Sequence, residues 1–66
     1  MKIELGKKYR GKINDIVFEI LDTKTETDKV YGNSLLWQVG YEKDHRYQTE
    51  WHTNTFLEHL QIEEVK

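Results

Sequence analysis

Apolar and polar residues alternate along residues 34–53, which read SLLWQVGYEKDHRYQTEWHT. A period of two residues is typical of β-strands that bury one face. The polar residues 42–45 interrupt the alternation, so this segment is predicted to form two antiparallel strands joined by a tight turn. We expect a three-residue loop, residues 43–45, with His45 in the left-handed backbone region that His tolerates better than most residue types.

The side chains that share a face predict the register of this hairpin. Partner numbers sum to 88 in the predicted pairing, so Trp37 faces Trp51 and Tyr41 faces Tyr47. The tryptophans are expected to form a cross-strand pair against the core. Tyr41 and Tyr47 lie nearer the tip and are expected to be partly exposed. Leu36 falls on the opposite, polar face, where it covers a barrel edge or marks a small contact patch.

A second hairpin is predicted for residues 7–22, KKYRGKINDIVFEILD. With Asn14 and Asp15 as its two turn residues, partner numbers sum to 29, because both residue types tolerate the positive φ of such turns. One face of this hairpin then carries the apolar residues Tyr9, Ile13, Ile16, Phe18 and Ile20. Residues 23–29, TKTETDK, are all polar and are expected to form an exposed loop or a hairpin tip.

The C-terminal part predicts one helical turn and a last strand. Thr55 and Glu58 have the spacing of a capping box, and Thr53 or Asn54 is an alternative N-cap. The apolar residues of this turn are Phe56, Leu57 and Leu60. A helix this short is unstable alone and has to be held by packing. Residues 61–65 then predict a short final strand.

The predicted fold class is all-β: a small five-stranded SH3-like barrel with one short helical or 3-10 turn before the last strand, in a single domain, residues 1–66. The stretches GKKYRGK (6–12), FEILDT (18–23) and TNTFLEHLQIEEV (53–65) carry a resemblance. With them the chain resembles small SH3-like proteins encoded in prophages and mobile elements of Gram-positive bacteria. These motifs mark packing rather than chemistry, so the resemblance implies no functional residue.

Composition excludes several classes of site. The chain has no cysteine, which excludes disulfides, thiolate zinc sites and cysteine nucleophiles and favours a cytoplasmic location. No segment approaches the ~20 apolar residues of a membrane span, and the first residues do not resemble a signal peptide. A net charge of -2 is not typical of a general nucleic-acid binder.

The charges are unevenly placed along the chain. Residues 1–12 hold five basic side chains against Glu4, whereas residues 58–66 hold three glutamates against Lys66. Two explanations are open. The two ends are neighbouring strands with complementary charges, or the first strand is a basic patch that binds nucleic acid. The candidate nucleic-acid-binding residues are Lys7, Lys8, Arg10 and Lys12.

No set of residues predicts catalysis, a metal site or a cofactor. His45, His52 and His59 recur every seven residues, but they fall on a turn, a strand end and a helical turn, so the spacing implies no shared face. The chain shows no glycine-rich phosphate loop and no nucleophile motif. We therefore expect a protein that is not an enzyme.

The predicted function is a non-enzymatic protein-binding module, an accessory protein of a prophage or mobile element with an unknown protein partner. The candidate partner-binding residues are Leu36, Tyr41, His45 and Tyr47. The alternative is a nucleic-acid-binding barrel that uses the basic first strand. The chain is expected to be a monomer or a weak homodimer, because a marginal small domain gains stability from association.

Overall fold

The computed structural model describes residues 2–30 and 32–66. Within these ranges the strands and the helix follow the predicted order, with the helix directly before the last strand. The bounds are β1 Lys8–Gly11, β2 Val17–Asp28, β3 Gly32–Lys43, β4 Arg46–Thr53, α1 Asn54–His59 and β5 Ile62–Glu64.

The strands form one antiparallel sheet in the order β4-β3-β2-β1-β5. This confirms the predicted all-β class with one short helix. In the part of the chain that the structure describes, β4 and β5 are the two edges and do not pair with each other, so the sheet is not closed into a barrel. No helix in that part has the length and apolar character needed to cross a membrane.

One face of the sheet, called here the inner face, carries the hydrophobic core, and the opposite face is called the outer face. The buried core residues are Ile3, Tyr9, Phe18, Ile20, Trp37, Val39, Leu57 and Ile62. The one hydroxyl among them is satisfied: Tyr9 Oη accepts a hydrogen bond from the Glu4 amide at 3.0 Å and donates to the Lys2 carbonyl at 3.4 Å. Every element except β4 contributes a side chain to the core.

The first hairpin has the predicted faces along its strands but not the predicted pairing, and Ile13, predicted on the apolar face, is 67% exposed. Tyr9 pairs with Phe18, so partner numbers sum to 27 instead of 29. The connection is longer than two residues. Within it, the Asn14 side-chain oxygen accepts a hydrogen bond from the Ile16 amide at 3.1 Å, and Asp15 adopts a φ of 57°. A shift of two in the sum keeps the same side chains on the same face, so Tyr9, Phe18 and Ile20 remain in the core.

The polar residues 23–28 belong to the end of β2, which pairs with β3 up to Asp28 and Gly32. The expectation of an exposed loop or a hairpin tip is therefore wrong for residues 23–28, which are paired strand; only Lys29 of this stretch lies in the turn that follows.

Pairing of β1 with β5 explains the uneven charges. Arg10 lies opposite Glu63, and its guanidinium hydrogen-bonds that carboxylate, with Nε 3.1 Å from Oε1. Lys7 Nζ lies 3.0 Å from Glu64 Oε1 and also contacts Glu4. The hydrogen bond from Arg10 lowers the pKa of Glu63. The prediction that the chain ends are neighbouring strands with complementary charges is confirmed.

The predicted register of the β3–β4 hairpin is wrong by one residue. Trp37 pairs with His52 and Lys43 pairs with Arg46, so partner numbers sum to 89. The turn has two residues instead of three, because Asp44 and His45 both have positive φ, 53° and 63°. His45 is left-handed as predicted. A one-residue difference moves β4 side chains to the other face, so Trp37 is 9% exposed in the core whereas Trp51 lies on the outer face and is 38% exposed.

Thr53 is the N-cap of α1, one of the predicted alternatives to the Thr55 capping box. Its hydroxyl oxygen accepts a hydrogen bond from the Phe56 amide at 3.1 Å. The helix is also tied to β3, because Trp37 Nε1 donates to Asn54 Oδ1 at 3.0 Å. Leu57 is its buried residue. The expectation that packing holds this helix therefore matches its contacts.

Candidate functional site: a cleft on the inner face

A cleft of about 120 Å³ opens on the inner face where three parts of the chain meet. These parts are the strands β2, β3 and β4 of the sheet, α1 with the Leu60 that follows it, and the connection between β1 and β2. The apolar wall consists of Ile16, Phe18, Val39, Leu57 and Leu60. The β4 side chains in this region are Glu50 and His52, because the two-residue turn directs Trp51 to the other face.

Tyr41, Glu50 and His52 form a hydrogen-bonded chain along the cleft. Tyr41 Oη donates to Glu50 Oε1 at 2.9 Å, and His52 Nε2 lies 2.8 Å from Glu50 Oε2. These two bonds, first that of His52 and then that of Tyr41, lower the pKa of Glu50. The hydrogen bond to Glu50 in turn raises the pKa of Tyr41. Glu50 is therefore an ionised carboxylate of fixed orientation at neutral pH.

The helix contributes an aromatic ring beside this chain. Phe56 stacks on the His52 ring with centroids 4.5 Å apart and an interplanar angle of 21°. Phe56 is 44% exposed, although Leu57 beside it is fully buried. The ring thus extends the apolar surface of the cleft outwards.

The size of the cleft defines what it can hold. Pockets for small molecules usually measure about 300–1,000 Å³, whereas a cavity of about 150 Å³ accommodates benzene. A volume of about 120 Å³ therefore matches a single side chain. An apolar wall with one oriented carboxylate is an arrangement suited to binding and orienting a ligand.

The four predicted partner-binding residues do not form one surface, although Tyr41 and Tyr47 both line a second depression, together with Lys8. Tyr41 lines the cleft, and His45 is exposed in the turn. Tyr47 lies on the outer face, 63% exposed, with its ring across Gly40 so that a Cβ there would collide with it. Leu36 is also on the outer face but is buried. The expectation that Tyr41 and Tyr47 face each other is wrong, because the register places them on opposite faces.

Leu36 is covered by a contact that the sequence did not predict. Lys24 on β2 lies opposite Leu36, and its Nζ is 4.3 Å from the centroid of the Trp51 ring on β4. These two side chains reach over β3 on the face that carries Leu36, with a cation–π contact between them. Leu36 therefore lies beneath this bridge rather than in a contact patch.

The basic residues of the first strand are unequally engaged. Lys7 and Arg10 are held by carboxylates of the N-terminal segment and β5. Lys8 and Lys12 form no ion pair with residues in the described ranges 2–30 and 32–66. Lys8 projects from the outer face opposite Glu19. The cleft and these lysines are thus separate features.

Sequence reasoning missed Glu50, His52 and Phe56 as members of one site. The wrong register assigned Glu50 and His52 to the polar outer face. The signal that could have found them is the pair Asp44 and His45, since two neighbouring residues tolerant of positive φ favour a two-residue turn. The three histidines lie on the turn, β4 and α1 as expected.

Comparison of the chain with protein-family models, curated proteins and solved structures finds no match. What the chain does is therefore inferred from the residues of the cleft.

Proposed function

We propose that this protein is a non-enzymatic protein-binding module that holds one side chain of a partner polypeptide in the inner-face cleft. The observation that carries the proposal is the open cleft itself, an apolar wall with the Glu50 carboxylate fixed at its side. Small apolar clefts with a few oriented polar groups are a common form of recognition site. The sequence resemblance supports the further proposal that the module is an accessory protein of a prophage or mobile element.

The energetics favour a polypeptide as the ligand. Full burial of one apolar side chain contributes about 1.5–3 kcal/mol, which is too little for stable binding alone. A polypeptide supplies further contacts on either side of the buried residue. Exposed Phe56 and partly exposed Tyr41 flank the cleft and offer such contacts. Recognition of an extended segment with one anchoring side chain is thus the mode we propose.

The SH3-like barrel belongs to the same proposal. The order of five strands with a short helix before the last one supports it, and so does the pairing of β1 with both β2 and β5. Because the sheet is not closed in the described part of the chain, the inner-face cleft stays open to a ligand.

Two variants in the β1–β2 connection test the proposal. Ile16 lines the cleft, whereas Ile13 is in the same connection, 67% exposed and outside the cleft. A random-peptide phage library selected on the immobilised wild-type protein should yield a consensus with one dominant side chain. Ile16→Trp should fill the cleft and lose this enrichment, and Ile13→Trp should retain it. No consensus from the wild type, or one that survives Ile16→Trp, would contradict the proposal.

Nucleic-acid binding through Lys7, Lys8, Arg10 and Lys12 is the alternative. The two lysines that form no ion pair in the described ranges support it. The engagement of Lys7 and Arg10 by carboxylates reduces the positive charge that this surface presents to phosphates. The protein-binding function is therefore the one that the geometry supports better.

A further inference from the structure

The two edges of the sheet differ in length and regularity. β5 has three residues, and a short edge strand offers little to a pairing partner. β4 has eight residues, contains neither glycine nor proline, and pairs with β3 along its whole length without a bulge. All but one of its residues are exposed. Such an edge is a template for an additional strand.

The turn determines which backbone groups of β4 face this free edge. In a hairpin with a two-residue turn, the residues that flank the turn, here Lys43 and Arg46, bond to each other. The direction of the backbone groups alternates along the strand. The amide and carbonyl groups of Tyr47, Thr49 and Trp51 therefore point to the open edge.

We propose that two copies of this chain associate through β4, with the two strands antiparallel about a two-fold axis at Thr49. Partner numbers then sum to 98. In this register the residues whose backbone groups point to the free edge lie opposite one another and can hydrogen-bond. Tyr47 lies opposite Trp51 of the second copy, and Gln48 lies opposite Glu50 of the second copy. The β4 strands continue one sheet from one subunit into the other.

Charge and alignment select this register over its neighbours. A sum of 100 would set Glu50 against Glu50 of the second copy, and like charges directly opposite are destabilising. A sum of 96 would pair residues 46–50 alone, whereas a sum of 98 pairs residues 46–52. Odd sums would place outward-directed backbone groups against inward-directed ones.

The exposed aromatic rings of β4 are consistent with a second copy as the occupant. Tyr47 is 63% exposed and Trp51 is 38% exposed, both on the outer face. The two-fold axis sets each Tyr47 position opposite a Trp51 position of the other copy. The two rings lie over Gly40 and beside Lys24 in the single copy, so a change of side-chain rotamer is needed for them to form two aromatic cross-strand pairs. Both residues of each aromatic pair therefore come from β4, one from each copy, and no residue of another protein is needed.

A proline substitution separates this association from folding. The Thr49 amide faces the free edge, a position at which an edge strand tolerates proline, so Thr49→Pro should keep the β3–β4 ladder and remove the central hydrogen bonds of the dimer. Sedimentation equilibrium over a concentration series up to the millimolar range should show a wild-type dimer. We expect at least tenfold weaker association for Thr49→Pro and unchanged association for the control Thr49→Val. Circular dichroism checks that each variant is folded.

A second variant serves if Thr49→Pro does not fold. Tyr47→Glu changes an exposed side chain and should also weaken association at least tenfold, because it removes both aromatic pairs. A wild type that stays monomeric at every concentration would overturn the proposal. Association of Tyr47→Glu or of folded Thr49→Pro at wild-type strength would do the same, since the contact would then lie elsewhere.

Discussion

Replacement of Leu57 by alanine tests how the helix is held over the sheet. Leu57 is 1% exposed and is the buried residue of α1 in a six-residue helix. Leu→Ala substitutions in a core lower the free energy of unfolding by about 2–5 kcal/mol. At about 0.05–0.15 kcal/mol per residue, 66 residues correspond to a total of about 3–10 kcal/mol. Leu57→Ala is therefore expected to remove a large share of the stability.

Urea unfolding followed by tryptophan fluorescence measures this loss. The midpoint should fall strongly for Leu57→Ala, with an unchanged slope if the variant still folds in two states. Phe56→Ala is the matched control, because Phe56 precedes Leu57 and is 44% exposed. Phe56→Ala should lower the free energy of unfolding by well below half of the loss caused by Leu57→Ala. A Phe56→Ala loss equal to or larger than that of Leu57→Ala would refute the assigned packing of α1.

Further substitutions test the cap, the ion pair, the register and the alternative function. Thr53→Ala should cost about 1 kcal/mol, whereas Thr55→Ala should cost under about 0.5 kcal/mol, both measured by urea unfolding. The pKa of Glu63 lies below its ordinary value of 4.5, so its ion pair stabilises the fold above that pH and is lost as the pH falls. Between about pH 7 and about pH 3 the wild type should thus lose more stability than Glu63→Gln. Trp51→Phe should remove the solvent-exposed part of the fluorescence and leave a blue-shifted band from Trp37; an unchanged spectrum would contradict the register. Titration with short DNA and RNA at about 50 mM salt should leave the amide resonances of Lys8 unshifted; steeply salt-dependent shifts would favour the nucleic-acid alternative.

The two hairpins show why faces are easier to predict than pairing. In the first hairpin the partner sum differed from the prediction by two, which left Tyr9 and Phe18 on the core face. In the β3–β4 hairpin the sum differed by one, which moved Trp51 from the inner to the outer face. Alternation defines a face only up to steps of two residues. The conformation of the turn then decides the register, that is, which residues of the two strands lie opposite one another.

Charge was a more dependable guide to distant pairing than alternation. The excess of basic residues at the start and acidic residues at the end predicted neighbouring strands, and Arg10 does lie opposite Glu63. Residues that are 53 positions apart in the chain have no local geometry in common. Complementary charge was the signal available from the sequence, and it was sufficient to identify the pair of strands, though not the register.

The error in the β3–β4 register and the existence of the cleft have one physical cause. Hydrophobicity alone favours Tyr47, Thr49 and Trp51 over Gln48, Glu50 and His52 as the inward set of β4. However, β4 is an edge strand with most of its side chains exposed, so burial contributes little to the choice between its two faces. The two positive φ values of the turn then decide the register. The choice directs Glu50 and His52 inward, where an indole would otherwise fill the space, and the cleft is the result.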